Sequence, residues 1–165
     1  MSVCLKRKSV RKYKSKPVSD EAIETLLKSA MQAPSANNQQ PWRFTVIKNK
    51  DLLEKLSKVS TGAHMLAHAP LAIMVGFVSH TRSPHMAPTD CAAATQNILL
   101  EVVNQGLGAV WIGIHPLEDR IERVRNLLEL DETITPFSLI AIGEPNESST
   151  VTSLRFDKSK VHVIE

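Results

Sequence analysis

Apolar residues return every three or four positions from Ser19 onward: Ile23, Leu26, Leu27, Ala30 and Met31 share one helical face. Ser19 offers a capping hydroxyl, Asp20 and Glu21 put negative charge at the positive helix end, and Pro34 stops the pattern. The period then changes. Residues 42–48 are aromatic and β-branched and predict a strand, and Asp51–Val59 predicts a short helix. Leu71–Val78 is almost wholly apolar, as in a strand covered on both faces. From Asp90 to Gln105 the chain is apolar nearly all round a helix, which must be covered on every side, by the domain or by a subunit interface. Gly106 ends that helix. Ala109–Ile114 predicts a strand, the residues after Pro116 a helix, and Phe137–Ile142 a strand closed by Gly143. The tail from Val151 reads as extended. Without strict strand–helix–strand alternation, the expected class is α+β.

At 165 residues, with 42% hydrophobic and 22% charged residues, the chain suits one globular domain, 1–165. Its longest apolar run is too short to span a bilayer, and residues 1–17 lack the apolar stretch of a secretory signal. Cys4 and Cys91 are too few for a disulfide framework, so a cytoplasmic setting is expected. The net charge of +3 hides an asymmetry. Residues 1–17 carry Lys6, Arg7, Lys8, Arg11, Lys12, Lys14 and Lys16 with no acidic residue. Either this is a solvated tail or something negative meets it: a nucleic-acid backbone, an acidic surface or a bound phosphate.

Several familiar chemistries are excluded. His64 and His68 have the i, i+4 spacing of paired ligands, but no third ligand accompanies them, so no metal is expected. Gly106 and Gly108 follow a helix and precede a strand, the reverse of a dinucleotide loop, and the third glycine is missing. No phosphate-binding loop, nucleophile elbow or nucleophile–base pair is present, so a cofactor would carry the chemistry of an enzyme here. Two segments do suggest a site. Arg7-Lys8-Ser9-Val10-Arg11 sets two guanidiniums and a hydroxyl where they can grip a phosphate. Pro34-Ser35-Ala36-Asn37-Asn38-Gln39-Gln40-Pro41 places four amide side chains and a serine between two prolines, a rigid loop dense in donors and acceptors.

At these residues the chain resembles the nitroreductase family of FMN-dependent oxidoreductases. The likeness rests on Arg7/Ser9/Arg11, the Pro34–Trp42 loop, the helix bearing Asp90, Ala92, Ala93 and Asn97, and Gly106-Leu107-Gly108. It continues through Trp111-Ile112-Gly113, Ile142-Gly143-Glu144-Pro145 and Arg155, in family order along nearly the whole chain. The resemblance implies an α+β sandwich, a mostly antiparallel sheet flanked by helices, working as an intertwined homodimer with FMN at the interface. It implies that Arg7, Lys8, Ser9 and Arg155 hold the FMN phosphate and ribityl chain, with Arg11 near the pyrimidine edge of the ring. Pro34, Ser35, Asn37 and Gln39 would reach the flavin from the other protomer. His64 would give a further pyrimidine contact, and the backbone of Trp111, Ile112 and Gly113 would face the ring. No side chain would be catalytic in its own right, Arg11 tuning the flavin instead. The implied activity is hydride uptake from NAD(P)H and reduction of nitroaromatic, quinone or similar acceptors by a ping-pong mechanism, with no nucleic-acid or membrane partner. A flavin store or sensor without turnover is the alternative. Only His80–Pro88 could cover the ring, because the chain is short between residues 78 and 90.

Overall fold

The computed structural model describes residues 2–146 and 155–165. Four antiparallel strands form one sheet: β1 (Trp42–Ile47), β2 (Leu71–Val78), β3 (Gly108–Gly113) and β4 (Ile134–Gly143), in the order β1-β2-β4-β3. The helices are α1 (Val3–Lys6), α2 (Asp20–Met31), α3 (Lys50–Leu56), α4 (Ala87–Asn104) and α5 (Glu118–Leu127). Strand alternation sorts the core into two layers. Ile73, Val75, Ile140 and Ile142 face α2 and α4, whose Leu26, Ala30, Ala94 and Ile98 bury against them. Ala72, Met74, Leu139, Ala141, Val110 and Ile112 face α3, α5 and the 3-10 helix Thr61–His68. Because both faces of β2 are covered, its side chains are apolar throughout, as the unbroken run predicted.

The α+β class and the antiparallel sheet stand as expected, and most elements fall where the pattern put them. Four differences have identifiable causes. β4 starts at Ile134, three residues early, because Pro136 lies within it. The proline is tolerated at a bulge, where the register shifts between Val75 and Gly76; a Cβ on Gly76 would lie 2.9 Å from the Thr135 carbonyl. Helix α4 starts at Ala87, with Pro88 in its first turn, where a missing N–H costs nothing. Residues 61–68 wind as a 3-10 helix with three residues per turn, so His64 and His68 do not stack on one face as the i, i+4 reading required. The short α1, capped by the Ser2 side chain, had no signal in the hydrophobic pattern.

The basic N-terminal arm is anchored. Val10 is buried, its N–H donates to the Ala109 carbonyl at 2.9 Å, and Ser9 pairs with Ala109 on the outer edge of β3. Gly108 makes this approach possible, since a Cβ there would lie 2.8 Å from Val10. Tyr13 is 7% exposed and its hydroxyl reaches the carbonyls of Val10 (2.5 Å) and Ala141 (3.1 Å). Lys14 and Lys16 both pair with Glu144 and hold its carboxyl below the ordinary value. Of residues 151 onward, Val151–Leu154 lie outside the described residues; 155–165 are exposed, with Lys158–Lys160 a 3-10 turn rather than extended chain.

Candidate cofactor site at the two sheet edges

The outer edge of β3 is the first candidate surface. Residue 109 turns its carbonyl outward to Val10, whereas the Ile114 N–H donates inward to the Phe137 carbonyl. By the alternation of an antiparallel ladder, the peptide groups of Trp111 and Gly113 therefore also point outward. The Gly113 carbonyl accepts a 2.9 Å hydrogen bond from Arg120 Nη1. Space beside Gly113 is open, with nothing within 4 Å of where a Cβ would stand. Ser9 and the arm flank this edge at Ala109, and four residues at about 3.3 Å each put Gly113 about 13 Å further along. A cationic segment at one end and bare backbone at the other thus define a narrow strip. Aromatic rings lie close by. Trp111 and Phe137 meet edge-on at 5.7 Å between centroids, and Phe77 meets His115 at 5.5 Å.

The second surface is the loop before β1, three strands away across the sheet. Ser35 begins a short 3-10 turn, Ala36–Asn38. Asn37 (φ 51°), Asn38 (φ 52°) and Gln40 (φ 47°) all adopt left-handed backbone. Such residues cost roughly 1–3 kcal/mol each, with Asn at the low end because its short amide bonds locally. A polar web holds them. Asp90 in the first turns of α4 is 4% exposed and accepts from Ala36 N (2.9 Å) and Gln39 Nε2 (2.6 Å). The Gln39 amide also accepts from Ser83 N (2.9 Å) and donates to Ser83 O (3.1 Å), and Asn37 Nδ2 donates to Ser83 Oγ (2.9 Å). Ser35 Oγ takes the Gln40 N–H at 3.1 Å.

The structure groups the expected site residues unevenly. Arg7, Lys8, Ser9 and Arg11 follow α1 beside the β3 edge, and Trp111, Ile112 and Gly113 form that edge. Ile112 turns its side chain into the α3/α5 core and, by the same alternation, its N–H and C=O toward β4. Pro34, Ser35, Asn37 and Gln39 lie at the opposite edge, so one chain does not bring the two groups together. Gln39 commits its amide inside the chain. His64 is exposed on the α3/α5 face with Nδ1 3.3 Å from the Thr61 carbonyl, and Arg155 is exposed on the final segment. Sequence reasoning missed the roles of Asp90, Ser83, Tyr13 and Arg120. The Asp90 partners lie 54 and 51 positions away, so no local pattern marked its role. Among the described residues no cluster of three metal-ligating side chains occurs, and no helix is long and apolar enough to cross a membrane.

A model of the nitroreductase family matches residues 4–64 and 60–144. A relative from Methanothermobacter thermautotrophicus, provisionally named NADH dehydrogenase/NAD(P)H nitroreductase, is 42% identical over 95% of this chain and 82% of its own. A solved structure from Clostridium acetobutylicum, provisionally named an NADH oxidase, superposes with a TM-score of 0.96 at 41% identity, covering 99% of each chain. A Desulfovibrio desulfuricans structure, described as a nitroreductase in complex with FMN, gives 0.81 at 29% identity over 99% of this chain and 94% of its own. The chain belongs to the nitroreductase family. It is thereby an oxidoreductase of nitroreductase type.

Proposed function

We propose that the protein is an FMN-dependent homodimeric reductase that takes hydride from NAD(P)H and reduces nitroaromatic, quinone or similar acceptors. The observation that carries this reading is the outer edge of β3. The strip from the Ser9 bridge to the open Gly113 matches a long ligand with a phosphate at one end and a flat polar ring at the other. The donor set fits FMN: guanidinium and hydroxyl for phosphate, outward peptide groups for ring heteroatoms. Arg7, Ser9 and Arg155 would hold the phosphate and ribityl chain, with Lys8 adding charge. Arg11 would set a permanent cation at the pyrimidine edge of the ring, and His64 a further contact there. The outward backbone groups of Trp111 and Gly113, on either side of Ile112, would face the ring, and Arg120 fixes the Gly113 carbonyl.

Pro34, Ser35 and Asn37 would complete the site from a second copy, since in one chain they occupy the far sheet edge. Two further features support a dimer. Ala92, Ala93, Leu100 and Val103 of α4 are only half-buried in one chain, and Phe156, Val161, Val163 and Ile164 are exposed. FMN, when bound, supplies a centre that accepts two electrons as hydride and hands them on. Donor and acceptor would use one open face in turn, which predicts ping-pong kinetics.

Visible absorption, mass analysis of any chromophore released by heat, and sedimentation test the reading. A yellow dimer releasing FMN, and oxidising NAD(P)H with a quinone, supports it. A colourless protein that does not take up added FMN overturns it. Arg155→Ala is expected to weaken FMN binding about tenfold, the loss of one charged hydrogen bond. Arg11→Ala is expected to lower turnover more than FMN occupancy. Equal losses of both properties in the two variants would contradict these roles.

A further inference from the structure

The amide loop combines three left-handed residues with a buried carboxylate, and the carboxylate belongs to a different element, α4. We propose that Asp90 is a positioning residue. Through Ala36 N and the Gln39 amide it clamps residues 35–40 and the Ser83 turn into one preformed surface for the cofactor of the second copy. The inference rests on the reading of that loop as a cofactor surface, but the clamp itself can be measured without FMN.

The geometry explains why the residue is an aspartate rather than an asparagine. Its two oxygens receive separate N–H donors, Oδ1 from Ala36 and Oδ2 from Gln39. An asparagine could satisfy only one of these and would turn an N–H against the other. Gln39 then acts as a fork: with its nitrogen on Asp90, its oxygen is turned to accept the Ser83 N–H. That orientation brings the Ser83 hydroxyl onto Asn37 Nδ2. The web therefore joins the loop before β1 to the turn after β2, the short segment that could cover a ring. Without it the left-handed backbone at Asn37, Asn38 and Gln40 would be left with local side-chain bonds alone, among them Gln40 Nε2 to Asn38 Oδ1, and would relax. Binding would then have to pay the ordering cost that the clamp now removes.

Two variants and one control test this, by hydrogen–deuterium exchange of purified protein and FMN titration of flavin-stripped protein. Asp90→Asn and Gln39→Ala are each expected to raise amide exchange in residues 35–40 at least about tenfold while leaving β2 and β4 protected. Each should weaken FMN binding about 10- to 100-fold and change the visible circular dichroism of the bound flavin. Thr95→Val lies on the same helix, buried against Ser138 at 3.1 Å, and makes no hydrogen bond to the loop. It should lower thermal stability and leave loop exchange and FMN affinity unchanged. The proposal is overturned if loop exchange in Asp90→Asn stays within twofold of wild type, or if Thr95→Val loosens the loop equally. If Asp90→Asn does not fold, Gln39→Ala decides by the same criteria. Failure of wild-type protein to bind FMN would remove the cofactor reading, while the exchange data would still decide the clamp.

Discussion

At the β1 edge, side-chain hydrogen bonds centred on Asp90 hold a loop whose backbone is unfavourable by itself; at the β3 edge, an apolar plug holds a segment whose backbone is ordinary. Val10 and Tyr13 sink into the α3/α5 core and leave the intervening Arg11 and Lys12 facing outward. The contrast follows from what each edge has to present. Amides in fixed directions require their backbone to be fixed, and only directional bonds do that. Cations that neutralise a phosphate need proximity more than direction, and a hydrophobic anchor two or three residues away suffices. The two edges should therefore fail differently when their holdings are removed.

The largest effect is expected at Tyr13. Tyr13→Ala empties a site in the core and leaves the Val10 and Ala141 carbonyls without their hydroxyl donor. The cost should be about 3–5 kcal/mol, as for other buried aromatic truncations. It should appear as a lower urea midpoint, together with proteolytic cutting in residues 7–16 under native conditions. Tyr13→Phe separates the two contributions: it keeps the plug, loses the hydroxyl, and should cost about 1–2 kcal/mol. If Tyr13→Ala leaves the arm as protected as wild type, the arm is held by its ion pairs and the contrast between the edges is wrong.

The two edges also differed in how far the sequence disclosed them. The arm was visible as a run of basic residues, but its anchoring was not. Val10 and Tyr13 are single apolar positions without a period, and their partners Ala109 and Ala141 lie about a hundred residues on. The amide loop was visible as composition between two prolines, while its carboxylate on α4 was not, because a hydrogen bond across 51 positions leaves no local pattern. Periodicity reports what faces the core, so β2 and α2 were legible nearly to the residue. It fails where a proline is rescued by a bulge, as at Pro136, or where a helix changes its winding, as at His64 and His68.

The cysteines offer a smaller and cleaner contrast, one buried next to Asp90 and one exposed just before the arm. Cys91 follows Asp90 in α4, is buried, and its thiol points to the Gly76 carbonyl at 3.4 Å. Burial first, and the Asp90 charge second, push its pKa up to about 12. It should therefore stay protonated and unreactive near neutral pH. Cys4 on α1 is exposed. Titration with a thiol reagent at pH 8 should count one group in native protein and two in denaturant. Two groups in the native state would show that the α4 side opens as readily as the arm.

The weakest link should be Glu144, which receives both Lys14 and Lys16 at the surface. Hydrogen bonds from Lys14 and then Lys16 lower its pKa from the ordinary 4.5. A carboxyl with a depressed folded pKa binds protons more weakly folded than unfolded. Its stabilisation is therefore present above the ordinary value and lost as pH falls through the lowered one. Both partners are solvated, so the effect is small and screened by salt. Glu144→Gln should melt about one to two degrees below wild type at pH 7 in low salt. The gap should close as the pH falls through the lowered value, where wild type loses the same charge. A gap that persists in acid would mean that Glu144 acts through its shape rather than its charge. A gap as large as that of Tyr13→Phe would move the ion pairs from trimming the arm's position to holding it.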